Sequence, residues 1–187
     1  MRAAAAGDLL AGYALNAFAD HFLEDSFAAG HLRTPRRRLH QGGVVGGPAD
    51  LCAKYMHDED NAVGLTVRNP RGESWVSRGD TYLMDPADLD NAARARDALR
   101  VSVAEVLAAF KTGVVPAAAA YGAWAEAPTL ESAAGPQELV PLFRADGQRR
   151  VDIRDRRRNE FTNWYTYLTT IAEIAISGKW DYPITLD

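Results

Sequence analysis

The sequence predicts a mainly α-helical single domain interrupted by one short β-hairpin. Three observations carry that expectation. Apolar residues recur at spacings of three and four over most of the chain, cap and stop residues punctuate the periodic segments, and one stretch of β-forming residues is split by a turn tetrapeptide. With 187 residues, 47% hydrophobic and 25% charged, the chain is long enough for one core and unlike a disordered tail or a fibre. Neither a repeat nor a linker divides it, so residues 1–187 are expected to form one domain.

The first helix is expected over residues 3–27. Leu9, Leu10, Tyr13, Ala14, Ala17, Phe18, His21, Phe22 and Asp25 give it one continuous stripe. Gly30 stops it and Pro35 prevents continuation. Residues 41–47 hold four glycines without periodicity and read as a loop. Pro48 then suits the first turn of a second helix, with Asp50 near its positive end, running to about Val63 before Gly64. Two short strands, 65–68 and 75–77, flank Asn69-Pro70-Arg71-Gly72, whose residue types fit a type I turn. Asp85 caps the next helix and Pro86 takes its first position. Leu89, Ala92, Ala93, Leu99, Val103, Val106, Leu107 and Phe110 supply its stripe, and Lys111 with Gly113 ends it. A short helical turn is expected around 137–140. A last helix over about 159–177 would bury Phe161, Trp164, Tyr165, Leu168, Ile171, Ala172 and Ala175.

Composition also excludes. A net charge of −4 argues against a molecule built as a polyanion binder, and the single Cys52 rules out an intramolecular disulfide framework. Cys52 itself reads as a small core residue. The longest uncharged stretch, 112–125, is too short to span a bilayer and contains Pro116 and Gly122, so no stable membrane insertion is expected. The N-terminal apolar run is broken by Asp8 and does not develop into a signal peptide. The chain as written therefore reads as cytoplasmic.

Chemistry concentrates in one short motif, His21-x3-Asp25-x5-His31. Four residues apart, His21 and Asp25 project from one helix face, so an imidazole and a carboxylate can reach a single ion. His31 lies beyond the helix, where Gly30 lets the backbone turn and Ala28 and Ala29 leave room for a chain passing close. The plainer reading of His21 and Asp25 is a simple paired contact. His57, on the second helix, is followed by Asp58, Asp60 and Asn61; this reads either as a second ligand arm or as an acidic helix end in water. Glu24 reads as a base beside the metal or as a solvated glutamate. Arg33 and Arg36, with Arg37 and Arg38, read as cations drawing a phosphate toward the site or as an exposed basic loop. His40 reads as a surface histidine. Residues 144–158, with seven Arg and three Asp, read as an anion-binding patch or an internally paired stretch.

The motif in its setting, Asn16-Ala17-Phe18-Ala19-Asp20-His21-Phe22-Leu23-Glu24-Asp25-Ser26-Phe27, resembles the central zinc motif of the zinc-dependent phospholipase C/P1 nuclease superfamily. Lys54-Tyr55-Met56-His57-Asp58, Gly64-Leu65, Arg71-Gly72, Trp75 and Gly79-Asp80 extend the resemblance to its bacterial phospholipase C-like branch, over roughly residues 11–110. The resemblance implies a multi-helix bundle around one to three zinc ions, with water activated by the metals attacking a phospholipid phosphodiester. It carries His21, Asp25, His31 and His57 over as metal ligands, with Asn61 at a further ligand position; beside them, Asp25 and Glu24 are the candidate catalytic residues, and Arg33 and Arg36 the candidate contacts to the substrate phosphate.

Two departures shape the expectation. Asn61 stands where the family has a carboxylate, and none of the twenty residues before His21 is a histidine that might supply the family's upstream ligands. Relative to the family, the chain reads as N-terminally incomplete, with one zinc ion and weak catalysis; with the missing part restored it reads as secreted. The alternative from another class is a non-catalytic helical domain with a structural or vestigial metal site. An HD-type phosphohydrolase built on His57-Asp58, or a single-strand nuclease acting on nucleic acid, ranks lower.

Overall fold

The computed structural model of the protein describes residues 1–34, 36–37, 53–54, 57–58 and 60–133. The expected loop at 41–47, His40, Cys52, the basic stretch 144–158, the turn at 137–140 and the helix at 159–177 lie outside the described residues. Within them the protein is mainly α-helical with one two-stranded antiparallel hairpin, as the sequence predicts.

The single helix expected over 3–27 is two. Helix α1 (Arg2–Ala5) ends before Gly7, whose φ of 99° is open to glycine at no steric cost, and α2 (Leu9–Asp25) starts afresh. The Asp8 side chain caps it by accepting from the Ala11 N–H at 2.9 Å. A methyl group on Gly12 would stand 2.7 Å from the Ala4 Cβ, so a bare backbone is what lets α1 lie on α2. Helix α3 (Ala29–Leu32) follows, and residues 57–58 and 60–63 are helical.

Strands β1 (Leu65–Arg68) and β2 (Ser74–Ser77) pair with Leu65 opposite Ser77 and Val67 opposite Trp75, which puts those four residues inward. Their turn is the expected one: the Gly72 N–H donates to the Asn69 carbonyl at 2.9 Å, and Gly72 takes a φ of 83°. After two 3-10 turns, Asp80–Met84 and Pro86–Asp88, helix α4 (Leu89–Thr112) runs to Gly113, left-handed at φ 69°. Asp85 caps the second 3-10 turn by accepting from the Ala87 N–H. Two further 3-10 turns, Ala118–Ala120 and Gly122–Ala125, lead to α5 (Leu130–Ala133).

The core gathers Leu23, Phe27, Leu32, Leu65, Val67 and Trp75 against Ala95 and Ala98. Trp75 stacks on Phe27 at 6.3 Å, carries the Arg94 guanidinium over its ring at 4.5 Å, and donates its indole N–H to Asn91 Oδ1 at 2.8 Å. Helices α2 and α4 meet through faces other than their large apolar stripes. The buried residues are Gly12, Asn16 and Leu23 on α2, and Asn91, Ala92, Ala95, Ala98, Ser102, Val106 and Ala109 on α4. Leu10, Phe18, Phe22, Leu89, Val103 and Phe110, all placed in the buried stripes by periodicity, are exposed. Small residues win this contest because they let two backbones approach closely. Asn16, Asp20 and Ser102 then bridge the interface with mutual hydrogen bonds of 2.6–3.3 Å.

Candidate metal centre

The site is assembled where α2 ends. Three donors fix the turn after it: Ser77 Oγ and Asn91 Nδ2 both donate to the Phe27 carbonyl, at 2.6 and 2.9 Å, and the Ala29 N–H donates to the Arg78 carbonyl at 2.6 Å. The chain leaving β2 is thereby pressed onto Ala28. Gly79, at φ 106°, passes so near that an added Cβ would lie 2.3 Å from the Ala28 Cα. Asp80 follows immediately, held at φ 48°, a conformation few residues with a side chain adopt. The small size of Ala28 thus admits the hairpin's exit strand and delivers Asp80 beside His31.

His57 arrives from the other side. Its helix docks on α3 at Gly30, whose N–H donates to Asn61 Oδ1 at 2.7 Å. Arg33 and Asp60 lock the same contact with a buried pair of hydrogen bonds, both 2.8 Å long. The His31 and His57 rings lie 5.0 Å apart, and His31, His57 and Asp80 each offer one ligand atom within 4.8 Å of the others.

Each imidazole has a carboxylate at both nitrogens. His31 Nδ1 lies 3.4 Å from Asp25 Oδ1, and its Nε2 lies 3.7 Å from Asp80 Oδ1. His57 Nδ1 lies 3.0 Å from Asp58 Oδ1, and its Nε2 lies 3.1 Å from Asp80 Oδ2. A carboxylate on Nδ1 fixes the tautomer with its proton there and leaves the Nε2 lone pair for a cation, the usual support of a metal-ligating histidine. Burial opposes ionisation of Asp58, but hydrogen bonds from Lys54 and His57 outweigh it and hold the carboxyl below the usual carboxylate range. Lys54 meets the Asp58 charge directly. Asp80 stands between the two Nε2 atoms, so that two imidazole nitrogens and a carboxylate oxygen face one point. Two imidazoles and a carboxylate suit zinc or a similar transition metal, so the donor set fits the ion that the resemblance implies.

The expected ligands are distributed differently from their sequence reading. His31 and His57 converge. Asp25 lies against the Nδ1 edge of His31, placed to orient that ring. His21 sits at the rim, mostly exposed, with Nε2 3.9 Å from Asp25 Oδ2. Asn61 spends its oxygen on Gly30 and turns its amide nitrogen toward Asp80 and toward His57 Nε2, at 3.3 Å from the latter; it positions ligands and has no free oxygen to ligate with. Arg33, expected at the substrate phosphate, is buried against Asp60 because α3 needs that tie to the helix of 60–63. Arg36 is exposed and, with Lys54 and His57, borders a cavity of about 320 Å³. Glu24 is exposed on α2. Asp80 was not anticipated as a ligand. The available signal was the Gly79-Asp80 pair directly after a strand, where a glycine permits a backbone course that aims the next side chain.

No helix among the described residues is long and apolar enough to cross a membrane. Searches of family models, curated proteins and solved structures find no match to this chain.

Proposed function

We propose that this protein is a metal-dependent phosphodiester hydrolase, with a phospholipid as its expected substrate and zinc as its ion, held by His31, His57 and Asp80. One observation carries the reading. Two imidazoles from separate helices each set Nδ1 against a carboxylate and turn Nε2 toward the shared Asp80, the arrangement in which carboxylates orient a pair of metal-ligating histidines. A divalent ion bound there supplies polarisation of a phosphoryl oxygen and lowers the pKa of a nearby water. The protein's own side chains do the rest. Asp25 and Asp58 hold the rings, Asn61 holds Asp80, and Arg36 presents positive charge to an anionic substrate in the cavity beside His57.

The alternative is a structural metal site in a non-catalytic domain, favoured by the convergence of only three ligand residues among the described ones, with His21 at the rim. Metal content and turnover separate the two. Purified protein should carry about one zinc per chain by mass spectrometry. His57→Ala and Asp80→Asn should empty the site, and His21→Ala should leave it filled. Zinc-dependent hydrolysis of a chromogenic diester that His57→Ala abolishes supports the hydrolase. Bound zinc without turnover supports the structural reading, and no bound zinc refutes both.

A further inference from the structure

Asp88 directly precedes α4, where a carboxylate ordinarily caps its own helix, yet its side chain makes no cap bond to α4. It is buried, 1% exposed, and both of its oxygens are engaged elsewhere. Oδ1 accepts from the Arg78 N–H at 3.0 Å, the Gly79 N–H adds a further bond, and Oδ2 accepts from Asn91 Nδ2 at 2.9 Å. Asn91, wholly buried, continues the network. Its Nδ2 also donates to the Phe27 carbonyl at 2.9 Å, and its Oδ1 accepts from the Trp75 indole. One buried set of hydrogen bonds therefore grips the backbone immediately before Asp80 and the backbone four residues before His31.

Asp80 needs such a grip. Its φ of 48° is left-handed, and its side chain is 40% exposed, so burial of the side chain does not enforce that conformation. A non-glycine residue stays there only where its surroundings over-determine the backbone. Gly79 before it, at φ 106°, has the widest conformational freedom of any residue type. Fixing the Arg78 and Gly79 N–H groups on one carboxylate removes that freedom at the position that aims Asp80. The Arg78 guanidinium fastens the same stretch to the Ala87 carbonyl at 2.9 Å and to the Ala62 carbonyl at 3.4 Å. We propose that Asp88 is a positioning residue of the metal centre: it sets the direction of the Asp80 carboxylate toward His31 and His57 by holding the chain that leaves β2 against the end of α2. The inference rests on the metal reading above and assigns a residue that does not touch the ion. An amide cannot replace this carboxylate. It offers one acceptor oxygen, and its NH2 then faces either the Arg78 N–H or Asn91 Nδ2, donor against donor.

Zinc affinity of the full chain, measured against a competing chelator beside the urea midpoint, tests the role. Asp88→Asn should lower zinc affinity ~10–100-fold in folded protein. Asp88→Ala leaves both backbone N–H groups without their acceptor and should lower it at least as far; where that variant does not fold, Asp88→Asn decides alone. Ser102→Ala cuts buried hydrogen bonds between α2 and α4 away from the centre, and should lower the urea midpoint while keeping wild-type zinc affinity. Cobalt(II) in place of zinc reports the ligand geometry: its visible absorption should change in Asp88→Asn and match wild type in Ser102→Ala. A folded Asp88→Asn variant with wild-type zinc affinity, or with the wild-type cobalt spectrum, would overturn the role of Asp88 and leave the metal reading standing. Equal losses of affinity in Asp88→Asn and Ser102→Ala would reduce the effect to general destabilisation and overturn it as well. Wild-type protein that binds no zinc would instead remove the metal reading, and this inference with it.

Discussion

Gly30→Ala is the most economical probe of how the metal centre is built, because the glycine's φ is unremarkable and the cost is purely steric. A Cβ there would stand 2.5 Å from the His57 carbonyl oxygen, 2.7 Å from His57 Cδ2 and 2.9 Å from Asn61 Nδ2, where ordinary contact begins at 3.4 Å. The nearest obstacle is backbone and cannot swing aside, so α3 and the His57 helix must part by about 0.9 Å. That separation stretches the 2.7 Å bond from Gly30 N–H to Asn61 Oδ1 to about 3.6 Å, outside hydrogen-bond range. Overpacking costs ~1–3 kcal/mol and the lost buried bond ~1–3 kcal/mol, so a combined loss of ~2–6 kcal/mol is expected in urea unfolding. Metal sites tolerate ligand shifts of only ~0.2 Å, so zinc affinity measured against a competing chelator should fall ~10–100-fold. A variant within ~0.5 kcal/mol of wild type with unchanged zinc affinity would refute the close docking of these two helices, and with it the convergence of His31 and His57.

Two further outcomes follow from buried carboxylates. Asp60→Ala removes the acceptor of both Arg33 bonds and should cost ~3–5 kcal/mol in urea unfolding, whereas Arg33→Met combined with Asp60→Leu should recover most of that loss; equal losses would show that the pair has no energetic coupling. Burial pushes the Asp88 carboxyl above the ordinary carboxylate value, despite hydrogen bonds from Asn91 and the backbone N–H groups of Arg78 and Gly79. The folded state then holds the Asp88 proton to higher pH than the unfolded state does, so this group's contribution to stability falls as pH rises from the usual carboxylate pKa through the raised one. Asp88→Asn should remove that fall from a urea-midpoint series between about pH 3 and 6, and an unchanged slope would contradict it.

The parts of the fold legible in the sequence are those where one residue type has one local use. Asn69-Pro70-Arg71-Gly72 forms the turn it encodes and Gly113 stops α4 in a left-handed conformation, whereas Asp85, expected to cap that helix, caps the separate 3-10 turn before it, and α4 begins at Leu89. The faces of α2 and α4 were not legible, for a physical reason. Periodicity weights a side chain by its hydrophobicity, while helix packing also weights how near two backbones can come. Ala95, Ala98 and Ser102 contribute little to the first measure and much to the second. Once they set the spacing, Asn16 and Ser102 lie at the buried interface, and Phe18 and Phe22 of the same helix are carried outward.

The same distinction governs the site. The four-then-six spacing of His21, Asp25 and His31 suggests three ligands to one ion, but local spacing fixes only what one helix and its exit can place. His31 is oriented by Asp25, one helix end away, and is completed by His57 and Asp80, which arrive through tertiary contacts. Those contacts depend on residues with no metal-binding chemistry at all. Ala28 is small enough for Gly79 to pass, Gly30 is bare enough for the His57 carbonyl to approach, and Phe27 offers a carbonyl that Ser77 and Asn91 hold in place. Asp80 is thereby aimed at both Nε2 atoms by a glycine and an alanine that are 51 residues apart in the sequence. No local periodicity encodes such an approach, so a ligand delivered by it becomes visible only when the hairpin and the end of α2 are seen in contact.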